Sequence, residues 1–462
     1  MTSAFRLDPV TAFRVILAGG FLVMLAGSMP GHLSSDTLIQ LSQASHHVRE
    51  PGRTFAPAVY GAVLGVFNDI FPGAGLYLVV SGALLFASFA ALRVLRPVMS
   101  WLGPIVALAV VASPALVIYQ GVVWKDVLFA NLSVAGFVLL AHAAARWTHP
   151  GRPWITLAAV VLMLALAAQV RQNGIIAAGI AALVMAWTAR GGGWRAMLGW
   201  SLGLLLAVLA TAFVLGVLAQ PQRGAPDPAT HIGIRLLQHY DIIGTSAHDR
   251  GLRLDEIRAA DPAAEGAIRV RGAALYSPER IDYLDLDPAL GAALWRLPDQ
   301  VVDTQWRDLI THHTGTYLSH RLDVFRQVFL TPMIDDCLPI FVGVEGPGPV
   351  LADLKMARGL DGADQALYNY GSYFLDSPAF SHLTYAIAAL ACALLMLLRH
   401  EPQDVAMAGM MFAALAFAAS FFVISIACDY RYLYFLDLAA LAGVLYLAID
   451  PPVRIFGRRR PR

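Results

Sequence analysis

Ten apolar runs punctuate the chain, near residues 12–29, 74–92, 102–120, 127–145, 154–170, 174–189, 196–218, 380–398, 404–427 and 433–449. Each approaches the roughly 20 residues that a helix needs to cross the hydrocarbon of a bilayer. A shorter stretch, Ala56 to Phe71, is interrupted by Asn68 and Asp69 and bounded by Pro51 and Pro72, and reads as an interfacial or re-entrant helix. Between Gln220 and Phe380 the pattern changes. Pro and Asp recur, and apolar positions return at helical intervals, with Ile232, Leu236, Tyr240 and Ile243 on one face of 231–243. Gln300 to Leu330 reads as two helices broken near Gly315. The pattern predicts an all-α integral membrane protein with about ten transmembrane helices, an amphipathic first outer loop and a small, mostly helical outer domain. The expected division is 1–218 as an N-terminal transmembrane module containing the outer loop 30–72, 219–379 as an extracytoplasmic domain, and 380–462 as a C-terminal transmembrane module with a basic tail.

Composition agrees with that pattern. Of 462 residues, 58% are hydrophobic and only 14% are Asp, Glu, Lys or Arg, against about 25% charged in soluble domains. The net charge of +1 gives no electrostatic reason to expect nucleic-acid binding. Cys337, Cys392 and Cys428 lack CxxC spacing, so neither a disulfide framework nor a zinc site is expected. The first run has Arg6 before it and Arg14 near its start but lacks a small-x-small cleavage site, and reads as a retained helix.

Positive charge orients the runs, because cytoplasmic loops hold the excess of Arg and Lys. With the N-terminus inside, Arg6, Arg93, Arg96, Arg146, Arg152, Arg190, Arg195, Arg399, Arg454 and Arg458 to Arg460 all fall in the cytoplasm. Both termini are then cytoplasmic and the segment 219–379 lies outside, which in a bacterium means the inner membrane with a periplasmic loop.

Four short polar clusters fall at the outer ends of different runs: Ser34-Ser35-Asp36-Thr37, Trp124-Lys125-Asp126, Arg171-Gln172-Asn173-Gly174 and Asp429-Tyr430-Arg431-Tyr432. Ionisable groups at a membrane boundary are costly unless paired, hydrated or used, so a shared site is expected. Thr37 with Gln40 fits a capping box, with Asp36 favouring the helix start; alternatively, Asp36 is a partly desolvated carboxylate that takes a proton from a hydroxyl. Lys125 is one of only two lysines, the other being Lys355. It suits a phosphate as a compact point charge, or simply pairs with Asp126. Arg171 and Arg431 run against the charge bias and suit bidentate phosphate contact, while Arg171 snorkelling to headgroups remains the plainer reading. The adjacent pairs His46-His47 and His312-His313 lack the i, i+4 spacing of a helical metal site. The run Trp306 to Arg321 reads as ordinary amphipathic helix, with a sugar-binding surface as the minority alternative.

Ser35-Asp36-Thr37 with Gln40, His46-His47, Trp124-Lys125-Asp126, Arg171-Gln172-Asn173-Gly174 and Asp429-Tyr430-Arg431-Tyr432, in this order, resemble the polytopic glycosyltransferases of the GT-C superfamily, in particular bacterial members with DT-x-x-Q, KD and R-x-N-G elements. The resemblance covers the membrane portion. It implies transfer of a sugar from a polyprenyl-phosphate donor to a glycan, lipid or protein acceptor at the outer face, among membrane lipids and without nucleic acid. Asp36 takes the place of the base, and Lys125, Arg171 and Arg431 those of the donor-phosphate ligands. Gln40, His46, His47, Asp126, Asn173, Asp429 and Tyr430 are expected to support them or to contact substrate. The motif holds one Asp where a paired acidic motif would bind a divalent metal, so no cofactor is assigned and a divalent metal stays open without support from the motif. One carboxylate opposite a lipid-phosphate leaving group implies inversion. A flippase or transporter for a lipid-linked sugar, or an oligosaccharide polymerase or ligase, stays open as an alternative.

Overall fold

The computed structural model describes residues 8–46, 57–148, 151, 153–219 and 228–451. Among these the chain is helical throughout, with isolated β-bridges in place of sheet. The first half comprises α1 (Pro9–Ser28), α2 (Ser35–Ser45), α3 (Ala58–Ile70), α4 (Gly75–Leu92), α5 (Leu102–Val111), α6 (Pro114–Tyr119), α7 (Lys125–Ala145), α8 (Trp154–Val170), α9 (Ile175–Thr188) and α10 (Gly193–Ala219). A second set follows: α11 (Pro228–His248), α12 (Asp255–Ala260), α13 (Pro262–Ala267), α14 (Ala273–Leu275), α15 (Pro288–Arg296), α16 (Asp299–His312), α17 (Thr314–Leu330), α18 (Gly348–Asp353) and α19 (Gly362–Ser372). The last three are α20 (His382–Leu397), α21 (Pro402–Ile424) and α22 (Tyr434–Ile449).

Every apolar run is helical. α1, α4, α7, α10, α21 and α22 are long and apolar enough to cross a bilayer, and α3, α5, α8, α9 and α20 are shorter apolar helices. The run at 102–120 is split because Ser113 is extended and Pro114, lacking an N–H, opens a new helix. α7 and α22 form the hub, with 89% and 83% of their apolar windows buried, whereas only 17% of α10 is, leaving its other faces to lipid. Inside the hub, Gln120 donates to Asn131 Oδ1 (3.0 Å) and Tyr434 Oη (2.9 Å), and Asn131 donates to the Ser81 carbonyl (3.1 Å). These bonds satisfy polar groups at membrane depth and fix α4, α6, α7 and α22 against one another.

The two ends of the bundle are distinct. At one end Arg96 pairs with Glu401 (2.7 Å) and with buried Asp404, and the Ser100 N–H donates to the Ile449 carbonyl (2.8 Å). At the other end a Cβ on Gly75 would lie 3.1 Å from Met29, so the chain that leaves α1 re-enters at α4 on the same side. α2 and α3 are therefore an excursion on one face, and α3 makes no net crossing. This second end carries the helices of 228–353 and is called the domain face below.

In the helical segment the break expected near Gly315 falls at His313, between α16 and α17. Its own core gathers Tyr240, Ile243, Leu254, Ile257, Leu290, Leu309 and Val324. From Val328 onward, Cys337, Leu351 and Phe380 pack instead into the core of the membrane helices. At the junction Asp241, His320 and Arg321 are fully buried. His320 Nε2 lies 3.0 Å from Asp241 Oδ1, Tyr276 Oη 2.8 Å from His320 Nδ1, and Trp306 Nε1–H donates to Asp241 Oδ2 (2.7 Å). Trp306, His320 and Arg321 thus form an internal polar core and not a sugar-binding surface. One expectation is overturned outright: Cys337 and Cys428, 91 positions apart, form a disulfide. Spacing is silent about a pair brought together only by tertiary packing.

Candidate functional site at the domain face

The stretch before Asp36 is held from both sides. Gly31 has φ +121°, and a Cβ there would come 2.8 Å from Val123, so glycine permits both the turn and the close approach. The His32 N–H then donates to the Gly121 carbonyl (2.9 Å) and the Val123 N–H to the His32 carbonyl (3.0 Å). On the other side the Leu33 N–H donates to Gly343 (2.9 Å) and the Glu345 N–H to Leu33 (2.9 Å). α2 starts immediately afterwards, with Asp36 in its first turn. The capping box expected from Thr37 and Gln40 is absent: Thr37 lies inside the helix and its hydroxyl donates to the Val123 carbonyl (2.5 Å), a bond shared by Tyr60 Oη (3.0 Å).

Four segments meet at this point. Arg431, in the turn before α22, reaches Asp429 (2.9 Å), Asp36 (3.4 Å) and Asp126 (3.9 Å). Arg171, at the end of α8, pairs with the other oxygen of Asp126. Lys125, beside Asp126 at the start of α7, lies within electrostatic range of Arg171, Arg431 and Asp36, and among the described residues no ion-pair partner accompanies it. Aromatic rings frame the cations. The Arg431 guanidinium lies 4.7 Å from the Trp124 ring centroid, and that of Arg171 lies 5.2 Å from both Phe421 and Tyr432. Trp124 is itself fixed by donating to Ser34 Oγ (2.8 Å).

Asp36 differs from the expected desolvated carboxylate. Its side chain is 65% exposed to solvent, and Asp126 is the buried acid of the group, at 2%. The other candidates divide. Asp429 joins the cluster through Arg431. Asn173 donates to Ser420 Oγ (2.9 Å), tying the α8–α9 turn to α21. Gln40 is buried on α2. His46 is bound at the far end of α2 to Asp353 (2.8 Å), whose carboxylate also accepts from Ser42 (2.6 Å); those two bonds hold the Asp353 carboxyl below its ordinary range. His47 lies outside the described residues. Tyr430 is fully buried, stacked 4.1 Å from His382, which contacts Asp437 (2.9 Å). It anchors the turn and does not face the cluster.

No family model and no curated protein matches the chain. Solved structures do match it. An archaeal oligosaccharyltransferase, AglB from Archaeoglobus fulgidus in complex with an inhibitory peptide and a dolichol-phosphate, aligns with TM-score 0.42 and 12% identity over 95% of this chain and 50% of that one. The Archaeoglobus fulgidus oligosaccharyltransferase complex with Zn and sulfate aligns with TM-score 0.42 and 11% identity, over 94% and 49%. ArnT from Cupriavidus metallidurans bound to undecaprenyl phosphate aligns with TM-score 0.34 and 12% identity, over 94% and 77%. The chain spans about half the length of the archaeal structures it matches.

Asp126 and Asp429 already face guanidinium groups, and among the described residues no three His, Cys, Asp or Glu side chains assemble as a metal site. The cluster sets two guanidinium groups and an ammonium beside one exposed carboxylate, Asp36. Sequence reasoning missed two supports. His32 is buried beneath the segment that carries Asp36; its Nδ1 accepts from the Gly343 N–H (3.0 Å) and lies 3.1 Å from Asp364. Burial holds this imidazole below its usual value, against the pull of Asp364 and Asp361. Its only sequence signal is its place next to Pro30-Gly31. Asn131 is visible in the sequence as an amide inside an apolar run.

Proposed function

We propose that the protein is a membrane glycosyltransferase that moves a sugar from a polyprenyl-phosphate donor to an acceptor hydroxyl at the domain face, with Asp36 as base and inversion at the anomeric carbon. One observation carries the reading: an exposed carboxylate and three cations, supplied by residues 36, 125, 171 and 431, meet at the end of a bundle of membrane-type helices. Lys125, Arg171 and Arg431 neutralise the departing phosphate, and preorganised charge of this kind lowers the barrier where negative charge develops. Asp36 takes the proton as the acceptor oxygen attacks.

We assign the domain face to the outside of a bacterial inner membrane, with both termini in the cytoplasm. Two independent features favour that orientation. The short loops at the opposite end hold the excess of arginine, and a disulfide at the domain face suits an oxidising compartment.

The test is incubation of the purified protein with labelled polyprenyl-phosphate sugars and a membrane extract as the acceptor source. Wild type is expected to transfer label, and Asp36→Asn to lose about 10²- to 10⁴-fold of the rate, the usual contribution of a general base. Full transfer by Asp36→Asn would remove Asp36 from this role.

A further inference from the structure

We infer that the cavity between the start of α2 and residues 341–358 is the acceptor subsite, and that it takes an uncharged carbohydrate. The inference rests on the transfer reading above and adds the identity of the second substrate.

The cavity measures about 400 Å³, within the range of small-molecule sites. Ser34 and Ser35 form one wall, and Phe341, Glu345 and Arg358 the other. Its base is close-packed because position 346 is glycine: a Cβ there would come 2.5 Å from Leu38, while the Ser35 Cα lies at 3.5 Å. The Leu33–Glu345 backbone bond makes the two walls one unit, and Asp36 follows Ser35 in the first turn of α2. Phe341 packs against Trp124 at 5.2 Å, and Trp124 carries Arg431 at 4.7 Å from its ring centroid. The chain of contacts leads from the pocket to the phosphate-binding cations.

The chemistry of the lining selects the ligand. Glu345 and Arg358 are both exposed and pair with each other, so the pocket is neutral overall. An anionic acceptor would meet the Glu345 carboxylate and a cationic one the Arg358 guanidinium, each without net compensation. A polyol meets no such penalty, since its hydroxyls donate to Glu345 and accept from Arg358 and the serines. Phe341 offers a flat apolar surface to the C–H face of a sugar ring. In the reaction, the acceptor oxygen forms a bond to the anomeric carbon, the carbon–oxygen bond to phosphate breaks with its electron pair going to the phosphate, and the hydroxyl proton passes to Asp36.

The test uses the full-length protein in detergent on an immobilised array of neutral mono- and disaccharides, uronic acids and short peptides, with no donor lipid present. Binding to neutral sugars is expected, weakened at least tenfold by Glu345→Gln and by Arg358→Gln, two exposed substitutions compatible with folding. Retention of labelled polyprenyl phosphate by the same variants is expected to stay at the wild-type level. Binding confined to uronic acids or peptides, no binding to any neutral sugar, or neutral-sugar binding unchanged in both variants would each overturn the inference. Because donor lipid takes no part in the array, failure there is separable from failure of Asp36 as base.

Discussion

Arg321 donates through its Nη1 to the carbonyl of Ser425 at 2.6 Å, and so joins the core of the helical segment to the stretch that leads into Arg431. The same stretch is held three times more. The Ile281 N–H donates to Ile426 (2.8 Å) and the Cys428 N–H to Glu279 (2.7 Å), and Cys428 is bonded to Cys337. Arg431 is thus positioned as much by residues 279–337 as by the membrane helices.

Arg321→Met tests this attachment. Arg321 also pairs with Asp241, and both side chains are fully buried. Removing one partner of such a pair strands the other charge, at a cost of about 3–5 kcal/mol. A clear fall in the thermal midpoint in detergent is expected, with partial recovery when Asp241→Asn is added. A midpoint equal to wild type in the single variant would show that the ion pair does not hold the segment.

The disulfide supplies a second check. Replacing Cys337 and Cys428 by Ser is expected to destabilise the protein by about 2–5 kcal/mol, the usual range for a native bridge. In protein unfolded in denaturant without reductant, a maleimide is expected to label Cys392 alone, and to label Cys337 and Cys428 only after reduction, since all three thiols are buried in the folded state. Labelling of the pair without prior reduction would refute the bridge.

Lys125→Ala is expected to lower kcat/KM for a polyprenyl-phosphate sugar by about 10²- to 10³-fold, the scale seen when one electrostatic stabiliser is removed. Lys125→Arg should restore part of the rate, since charge returns without the compact geometry of the ammonium. Steady-state kinetics with labelled donor decides between this outcome and a merely structural lysine, for which both variants would be near wild type.

Acid should loosen the helical segment. Burial, reinforced by Arg235 and opposed by Asp299, holds His239 down to about 3 from an ordinary 6.5. Between those values the unfolded chain binds a proton that the folded chain refuses, so stability rises with pH. The contribution is complete above about 6.5 and is lost progressively as pH falls toward about 3. Each pH unit in that window corresponds to about 1.4 kcal/mol at most. Thermal midpoints measured from pH 7.5 to 5 should fall, and less steeply in His239→Phe, with burial of His320 sustaining the remaining slope.

The membrane helices are legible because every span, whether it faces lipid as α10 does or packs inside the bundle as α7 and α22 do, must be long and apolar, and length with composition expresses that directly. The polar clusters were legible for a related reason: Asp36, Lys125, Arg171 and Arg431 stand at the ends of apolar runs, where a charged side chain is conspicuous. What local pattern hid was determined across the chain. Thr37 looked like a cap, but the Val123 carbonyl, 86 positions away, takes its hydroxyl. Cys428 looked like an isolated thiol until packing brought Cys337 beside it. Tyr430 belonged to a motif by position, yet its ring turns inward onto His382. Motif order locates a site; it does not tell which members face the cavity.

On the transfer reading proposed above, the charges around Arg431 have a consequence for turnover. Lys125, Arg171 and Arg431 are matched in number by Asp36, Asp126 and Asp429, so an arriving phosphate exchanges with carboxylates that already occupy the guanidinium groups. The same carboxylates would reclaim those groups once a sugar had left. A spent lipid carrier would then be expelled by competition from within the protein, and would not be held too tightly.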